Sequence, residues 1–220
     1  KQNDEFEELE DYDCSKCKDT GAVKVGDTNV ICDCVKKKAV KNKISSAEIP
    51  ERFKDARLSN FETKCHDHEQ AFFQAKALVA NIDEFITNNW GLYIDGPPSQ
   101  GKTRLQASMV NELCVDGDYL GIMVNVRKLL SDIKDAVGDN NLNEILDAIQ
   151  ENKIIAFNDL TGGKRQTDSF TSFERGIIYR LIDAAYEEQK SIIISAKFNY
   201  AWVGDKLGKD VKDRLVEMCG

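Results

Sequence analysis

The segment from Gly91 to Thr103 most constrains what this chain can fold into. It reads Gly-Leu-Tyr-Ile-Asp-Gly-Pro-Pro-Ser-Gln-Gly-Lys-Thr, so a short apolar run leads into a glycine, four further residues, and then Gly-Lys-Thr. This spacing is typical of a loop that holds phosphate groups between a strand and a helix. The two glycines let backbone N–H groups turn toward an anion, and the helix that follows directs its positive end to the same point. An ordinary glycine turn is the alternative, and the apolar run before the loop and the helical pattern after it favour the phosphate loop.

We therefore predict that a nucleoside triphosphate binds here together with Mg²⁺. Lys102 is the expected partner of the β- and γ-phosphates, and the hydroxyl of Thr103 is the expected magnesium ligand. The predicted nucleotide-binding residues are Gly96, Pro97, Pro98, Ser99, Gln100, Gly101, Lys102, Thr103 and Arg104.

Four apolar runs alternate with amphipathic helical patterns along the rest of the chain. Such an alternation predicts an α/β fold with a parallel sheet flanked by helices on both faces, and a ligand site at the carboxyl ends of the strands. Asn158 and Asp159 follow one of these runs, where phosphate-loop enzymes place groups that hold magnesium and orient water. Asp159 is therefore predicted to lie across a cleft from Thr103. The four runs are 92–94, 121–126, 153–157 and 191–195.

Four of the seven cysteines form two close pairs near the start of the chain, Cys14-x2-Cys17 and Cys32-x-Cys34. Valine-rich stretches on either side of Gly26-Asp27 predict a hairpin between the pairs. Two pairs brought together by a hairpin suit a tetrahedral structural Zn²⁺ site with no open position for catalytic water. The second pair is tighter than the usual spacing, and an iron–sulfur cluster or four free thiols are the alternatives.

Charge is unevenly distributed along the chain, whose 30 Lys and Arg against 38 Asp and Glu give a net charge of −8. Residues 1–13 are predicted to be an acidic, flexible lead, 14–48 a zinc-binding module with a basic linker, and 49–220 the nucleotide-binding core. The lysines of the linker are expected to bind phosphates or an acidic partner, to offset a zinc tetrathiolate, or simply to face solvent. They are Lys36, Lys37, Lys38, Lys41 and Lys43.

Neither a membrane span of about 20 apolar residues nor a secretory leader is expected from the sequence. The odd number of cysteines and the phosphate loop predict a reduced, cytoplasmic protein. Cys65-His66-Asp67-His68 resembles a metal cluster, but its members are too close in sequence to surround one ion easily. We interpret it as a helix start with Asp67 near the N-cap.

The order of five motifs resembles the AAA+ ATPases of the DnaC/DnaI helicase-loader and IstB type, which include phage-encoded loaders. The resemblance spans nearly the whole chain and implies an AAA+ core that binds ATP or ADP and self-associates. It also implies contact with a replicative hexameric DNA helicase and with single-stranded DNA during replication initiation. By position, Arg214 matches the arginine finger that reaches a neighbouring subunit's nucleotide. The motifs are Cys14-x2-Cys17-x-Asp-Thr-Gly21, Ile49-Pro50-x-Arg52-Phe53, Gly96-Pro97-Pro98-x-x-Gly101-Lys102-Thr103, Asn158-Asp159-Leu160 and Asp213-Arg214-Leu215-x-Glu217-Met218-Cys219.

The chain departs from that pattern at three places. Asn158 stands where the family usually has an aspartate, and Lys197 stands where its sensor strand carries a polar asparagine. The family would also lead us to expect a fifth strand and a second sensor arginine beyond Gly220. Three hypotheses follow: an ATP-dependent helicase loader, a transposition helper ATPase of the IstB type, and a hydrolysis-poor scaffold that sequesters a helicase or its loader. The predicted catalytic residues are Lys102, Asn158, Asp159, Lys197 and Arg214.

Overall fold

A computed structural model of the chain describes residues 14–25, 28–32, 34–35, 47–135 and 140–220. The chain separates into two compact units, Lys1–Asn42 and Lys43–Gly220. The predicted acidic lead, the Gly26-Asp27 turn and the basic linker with Lys36, Lys37, Lys38, Lys41 and Lys43 lie outside the described residues. What was predicted for these segments, and for the domain boundaries, stays a prediction.

The first unit contains an antiparallel hairpin of two strands, β1 (Ala22–Val25) and β2 (Thr28–Ile31). Ala22 pairs with Ile31, and Val25 pairs with Thr28. The backbone N–H of Cys32 donates to the carbonyl of Gly21 at 2.8 Å, which extends the pairing by one step beyond the strands. The hairpin therefore returns the second cysteine pair to the level of the first.

Within the described part of the second unit, four parallel strands form one sheet in the order β3-β6-β5-β4. This confirms the predicted α/β fold with a parallel sheet. The boundaries differ from the sequence prediction at three positions: Val126 begins a helix instead of ending a strand, Lys153 precedes β5 instead of starting it, and Asn158 is the last strand residue. The strands are β3 (Leu92–Ile94), β4 (Gly121–Asn125), β5 (Ile154–Asn158) and β6 (Ser191–Ser195).

Helices follow and flank these strands, and α7 was not predicted from the sequence. None of the helices in the described ranges has the length and apolar character that crossing a membrane requires. The helices are α1 (His66–Ala80), α2 (Ile82–Thr87), α3 (Lys102–Val110), α4 (Val126–Asp135), α5 (Asn140–Glu151), α6 (Ser172–Glu187), α7 (Tyr200–Leu207) and α8 (Lys209–Cys219). A π-helical turn (Asn111–Asp116) extends α3, and two 3-10 turns (Glu51–Phe53 and Leu58–Asn60) precede α1.

The start of α1 lies where the sequence predicts a helix start. Cys65 is the N-cap, with extended backbone angles (φ −157°, ψ 168°), and the helix begins at His66. Asp67 lies in the first turn, two residues after the N-cap, which confirms its predicted place near the N-cap. Its carboxylate is near the positive end of the helix, where a negative charge is stabilising.

Both faces of the sheet are covered by helices, as the unbroken apolar strands require. Alternate residues of each strand enter two separate cores: Ile155 and Phe157 join one, and Ile154 and Ala156 join the other. The first core includes side chains of α4 to α8, and the second includes α1, α3 and the π-helical turn.

A buried glutamine fixes the phosphate-loop helix to the centre of the sheet. Gln106 of α3 has 0% exposure, and its amide nitrogen donates to the carbonyls of Phe157 at 3.1 Å and Ile193 at 2.6 Å. Because these carbonyls belong to β5 and β6, one side chain joins the helix to both central strands. The first turn of α3 is thereby held near the carboxyl ends of those strands.

Candidate functional site

The loop between β3 and α3 has the backbone geometry of an anion-binding loop. Gly96 has φ 141° and Gly101 has φ 82°, conformations that side-chain-bearing residues rarely adopt. Ser99 also lies in the left-handed region with φ 65°. Gly101 is the N-cap of α3, so the first free N–H groups of that helix lie at the loop. The loop therefore has the conformation that its glycine spacing predicts.

Lys102 lies across this loop. Its Nζ donates to the carbonyls of Gly96 and Pro97, each at 2.7 Å. Partial burial lowers the pKa of Lys102, whereas the carboxylates of Asp159 and Asp95 act in the opposite direction. A cation held by two neutral carbonyls is only weakly compensated, so an anionic oxygen can replace them as its partner.

The loop meets the end of β5 through Asn158. The Oδ1 of Asn158 accepts one hydrogen bond from Thr103 Oγ1 and one from Ser195 Oγ, both at 3.0 Å. Asn158 is only 7% exposed, and its amide nitrogen takes part in neither bond. The side chain therefore joins α3, β5 and β6 at one point and sets the orientation of the Thr103 hydroxyl.

Asp159, the next residue, has a left-handed backbone conformation with φ 54°. Its backbone N–H donates to Ser195 Oγ at 3.1 Å, and its Oδ1 accepts from Thr161 Oγ1 at 3.0 Å. It lines the same cavity as Thr103, but the direct partner of Thr103 is Asn158. The catalytic role of Asp159 stays a prediction.

A cavity of about 690 Å³ opens over the loop and the strand ends. Its described lining carries five basic side chains and one acid, Asp159, which suits a polyanionic ligand. Arg52 and Arg127 were not predicted to belong to the site, because they lie far from the motif in sequence. Arg104, predicted to bind nucleotide, also donates to the carbonyl of Asn60 at 2.8 Å. The basic residues are Arg52, Lys102, Arg104, Arg127 and Lys197.

Lys197 follows β6 and borders this cavity, and its role as a sensor residue stays a prediction. Its Nζ lies 3.5 Å from the carbonyl of Lys164 and 5.0 Å from the centroid of the Phe198 ring. These contacts hold a positive charge at the wall of the cavity.

A second, smaller cavity of about 320 Å³ lies against the other side of the loop. It shares Gln100, Gly101 and Lys102 with the large cavity. Phe61 and Ala71 contribute apolar surface to its wall. A flat heterocycle fits such a pocket, because apolar surface with a few polar groups is typical of small-molecule sites. No sequence motif marked it. Its remaining lining residues are Cys65, Asp67, His68, Ile94, Asp95, Gly96, Pro97 and Leu105.

Arg214 lies on α8 and is not among the residues that line either cavity. Its Nη2 is 2.5 Å from Asp183 Oδ1, and its guanidinium lies over the rings of Tyr179 at 4.9 Å and Tyr186 at 5.4 Å. A hydrogen bond with Tyr179 and the nearby Asp183 raise the pKa of Arg214. The structure thus does not bring Arg214 together with Lys102 and Asp159 in one chain, and an action across subunits stays a prediction.

The four N-terminal cysteines converge, with all their sulfur atoms within 4.8 Å of one another. Cys14 Sγ lies 3.8 Å from Cys32 Sγ, and Cys17 Sγ lies 3.4 Å from Cys34 Sγ. A tetrahedral zinc with bonds of about 2.3 Å separates its sulfurs by about 3.8 Å, so the set fits this ion.

The thiols of the cysteine set interact, and their pKa values move in opposite directions. Hydrogen bonds from the backbone at Cys17 and then Lys16 lower the pKa of Cys14 to about 6, whereas a hydrogen bond with Cys17 and then burial raise the pKa of Cys34 to about 12. The support for a metal site is therefore the convergence of the four sulfurs. Among the described residues, no other group of three or more His, Cys, Asp or Glu is arranged to hold an ion. Cys65 is the N-cap and His66 is the first residue of α1, which confirms the interpretation of this segment as a helix start.

A phosphate loop that faces a polar strand end, on a parallel sheet, is the arrangement that the sequence resemblance implied. The family model for the IstB-like ATP binding protein matches residues 35–220. The chain belongs to this family.

Relatives of this IstB-like chain include proteins of replication and of phage-like elements. The phage-like element PBSX protein XkdC of Bacillus subtilis (strain 168) is 25% identical over 219 residues, which cover 94% of the chain and 80% of XkdC. The replicative helicase loader DnaC of Escherichia coli (strain K12) is 23% identical over 160 residues, or 72% of the chain and 62% of DnaC. YdaV of the same strain is 24% identical over 159 residues, or 72% of the chain and 60% of YdaV. The chain thus spans less than two thirds of the length of YdaV and DnaC.

Solved structures confirm the AAA+ fold. The crystal structure of the DnaC helicase loader superposes on this chain with a TM-score of 0.63 at 20% identity. The matched region covers 78% of this chain and 97% of the DnaC chain. The crystal structure of DnaI gives the same TM-score and identity, and the matched region covers 78% of this chain and 92% of the DnaI chain. At this level of identity the likeness establishes the fold alone.

Proposed function

We propose that this chain is an ATP-dependent adaptor that binds a replicative hexameric DNA helicase and helps to place it on single-stranded DNA. The observation that carries the proposal is the similarity to the replicative helicase loader DnaC over 72% of the chain. The cleft supports it, because the phosphate loop faces the polar ends of β5 and β6 at hydrogen-bonding distance.

The proposed ligands of the core are ATP or ADP and Mg²⁺. The phosphates lie over the loop from Gly96 to Arg104, with Lys102 as their main cation, and the base enters the smaller cavity beside Phe61. Thr103, oriented by Asn158, is the proposed magnesium ligand, and the ion supplies charge neutralisation for the phosphates. The proposed roles of Asp159 and Lys197 are to orient water and to contact the terminal phosphate.

The proposed roles of the remaining parts are structural or intermolecular. Cys14, Cys17, Cys32 and Cys34 hold one Zn²⁺, and this module makes the contact with the helicase. The AAA+ core self-associates and brings Arg214 to a neighbouring nucleotide. A cytoplasmic location follows from the proposed partners.

A pull-down with the replicative helicase of the chain's own host tests the loader function. The full chain, immobilised through a C-terminal tag, is expected to retain the hexamer, and Mg·ATP is expected to change the amount retained. A Lys102→Ala chain is the matched control, because it keeps the zinc module and loses the nucleotide response. No retention of helicase by the folded, zinc-loaded chain would contradict the proposal.

A hydrolysis-poor scaffold is the second candidate, and Asn158 favours it. The oxygen of this amide already accepts from Thr103 and Ser195, and the side chain lacks the negative charge of the usual aspartate. Loss of one electrostatic contact to a reacting group slows turnover by about 10²–10³-fold. ATP turnover measured with and without single-stranded DNA separates the candidates, since a loader is expected to respond to DNA and a scaffold is not.

A further inference from the structure

A hydrogen bond joins the start of α1 to the phosphate loop, and neither the motifs nor the proposed roles account for it. His68 Nε2 lies 2.9 Å from Gln100 Oε1, although the two residues are 32 positions apart in sequence. His68 borders the smaller cavity, whereas Gln100 borders both cavities. The contact therefore lies where the linings of the two cavities meet.

The direction of this bond follows from the second contact of the ring. The backbone N–H of Lys64 points to His68 Nδ1 at 3.4 Å, and a backbone N–H can only donate. Nδ1 is thus the acceptor, and in the neutral ring the proton is on Nε2. Nε2 then donates to the amide oxygen of Gln100, so this bond does not use the NH₂ group of Gln100, a residue that lines both cavities.

We propose that His68 is a positioning residue for nucleotide binding, which holds the Gln100 amide so that its NH₂ group is presented to the ligand. A glutamine side chain has several rotatable bonds, and Gln100 is otherwise exposed on a loop. Fixing its amide before the ligand binds reduces the conformational entropy that is lost on binding. The inference rests on the proposed binding of ATP by this site.

A double-mutant cycle with ATP titrations in Mg²⁺ tests this role. His68→Ala and Gln100→Ala are each expected to weaken ATP binding about three- to tenfold, the size of one neutral hydrogen bond. Because His68 acts through Gln100, the double variant is expected to bind ATP no more weakly than Gln100→Ala alone. His68→Gln is expected to restore most of the affinity, since its amide N–H can replace Nε2–H.

His66→Ala is the matched control. This ring lies two positions earlier on the same helix, is largely exposed, and contacts Gln70 instead of the loop. Its removal is expected to leave ATP affinity unchanged.

Additive losses in the double variant, or no loss in His68→Ala, would overturn the inference while ATP binding by the wild type still stood. Failure of the folded wild-type chain to bind ATP would instead remove the proposed function itself.

Discussion

Asn158 offers a direct test of how the strand end controls hydrolysis. Replacing it with aspartate preserves the oxygen that accepts from Thr103 and Ser195 at 3.0 Å, and it exchanges the amide nitrogen for a second, charged oxygen. The side chain keeps its shape and its anchoring. Asn158→Asp is therefore expected to add charge at the magnesium site without rearranging it.

Two effects of the substitution can be estimated, one on the rate of ATP turnover and one on the stability of the folded state. One added charge-assisted contact is worth about 1.5–3 kcal/mol, which corresponds to a gain of about ten- to a hundredfold in turnover. Without nucleotide, a carboxylate at a position only 7% exposed and next to Asp159 is unfavourable and costs the folded state about 1–2 kcal/mol. The melting temperature should then fall by about 2–8 °C, and Mg·ATP should restore it.

Steady-state ATP turnover at saturating Mg²⁺ and thermal unfolding with and without Mg·ATP measure the two contributions. Asn125→Asp is the control, because Asn125 lines the same cavity but its Oδ1 accepts from the backbone of Lys128 instead of from Thr103. This control is not expected to raise turnover. If Asn158→Asp bound Mg·ATP normally and turned it over no faster than the wild type, the reasoning about the missing charge would be refuted.

Three further predictions concern the loop, α8 and the cysteines. Lys102→Ala should weaken ATP binding at least about tenfold in calorimetric titrations, because it removes the cation that lies across the loop. Arg214→Ala should leave ATP affinity in the monomer within about twofold and reduce ATP-dependent assembly in sedimentation experiments, and an equal loss of monomer binding in both variants would contradict its action across subunits. Cys14→Ser should lower the zinc content from about one ion per chain to near none, measured by atomic absorption, while ATP affinity persists because the nucleotide site lies in the Lys43–Gly220 unit.

The positions of the core strands along the chain could be predicted, because each buried strand is an apolar run bounded by polar residues, but their order in the sheet was not predicted. The sequence Ser-Ile-Ile-Ile-Ser of β6, for example, leaves no helical alternative. Helix α7 could not be predicted, since Gly204 interrupts its pattern and its start depends on capping by Asn199 and on the packing of Trp202. The π-helical turn after α3 was also missed, because Leu113 continues the α-helical spacing.

The candidate site was predictable where a motif or a strand end marks its residues, as for the loop and for Asp159 across the cavity from Thr103. The glycine spacing predicts the loop, but nothing local indicates that Thr103 meets Asn158 or that Ser195 completes the contact. The ion pair of Arg214 with Asp183 was missed for the same reason, since the two residues lie on separate helices. Contacts between the ends of separate elements depend on tertiary packing, for which the local sequence carries no signal.

The packing of Trp202 gives the chain an intrinsic optical reporter. The chain contains two tryptophans, Trp90 and Trp202. The Trp202 indole stacks on Phe198 at 4.4 Å and meets Phe170 edge-on at 5.9 Å, and its Nε1 donates to the carbonyl of Gln166 at 3.1 Å. It therefore joins the segment after Asp159 to the segment after β6. In a Trp90→Phe chain excited selectively at tryptophan, the emission arises from this one junction, so that a nucleotide that moves either segment changes the emission without an attached dye.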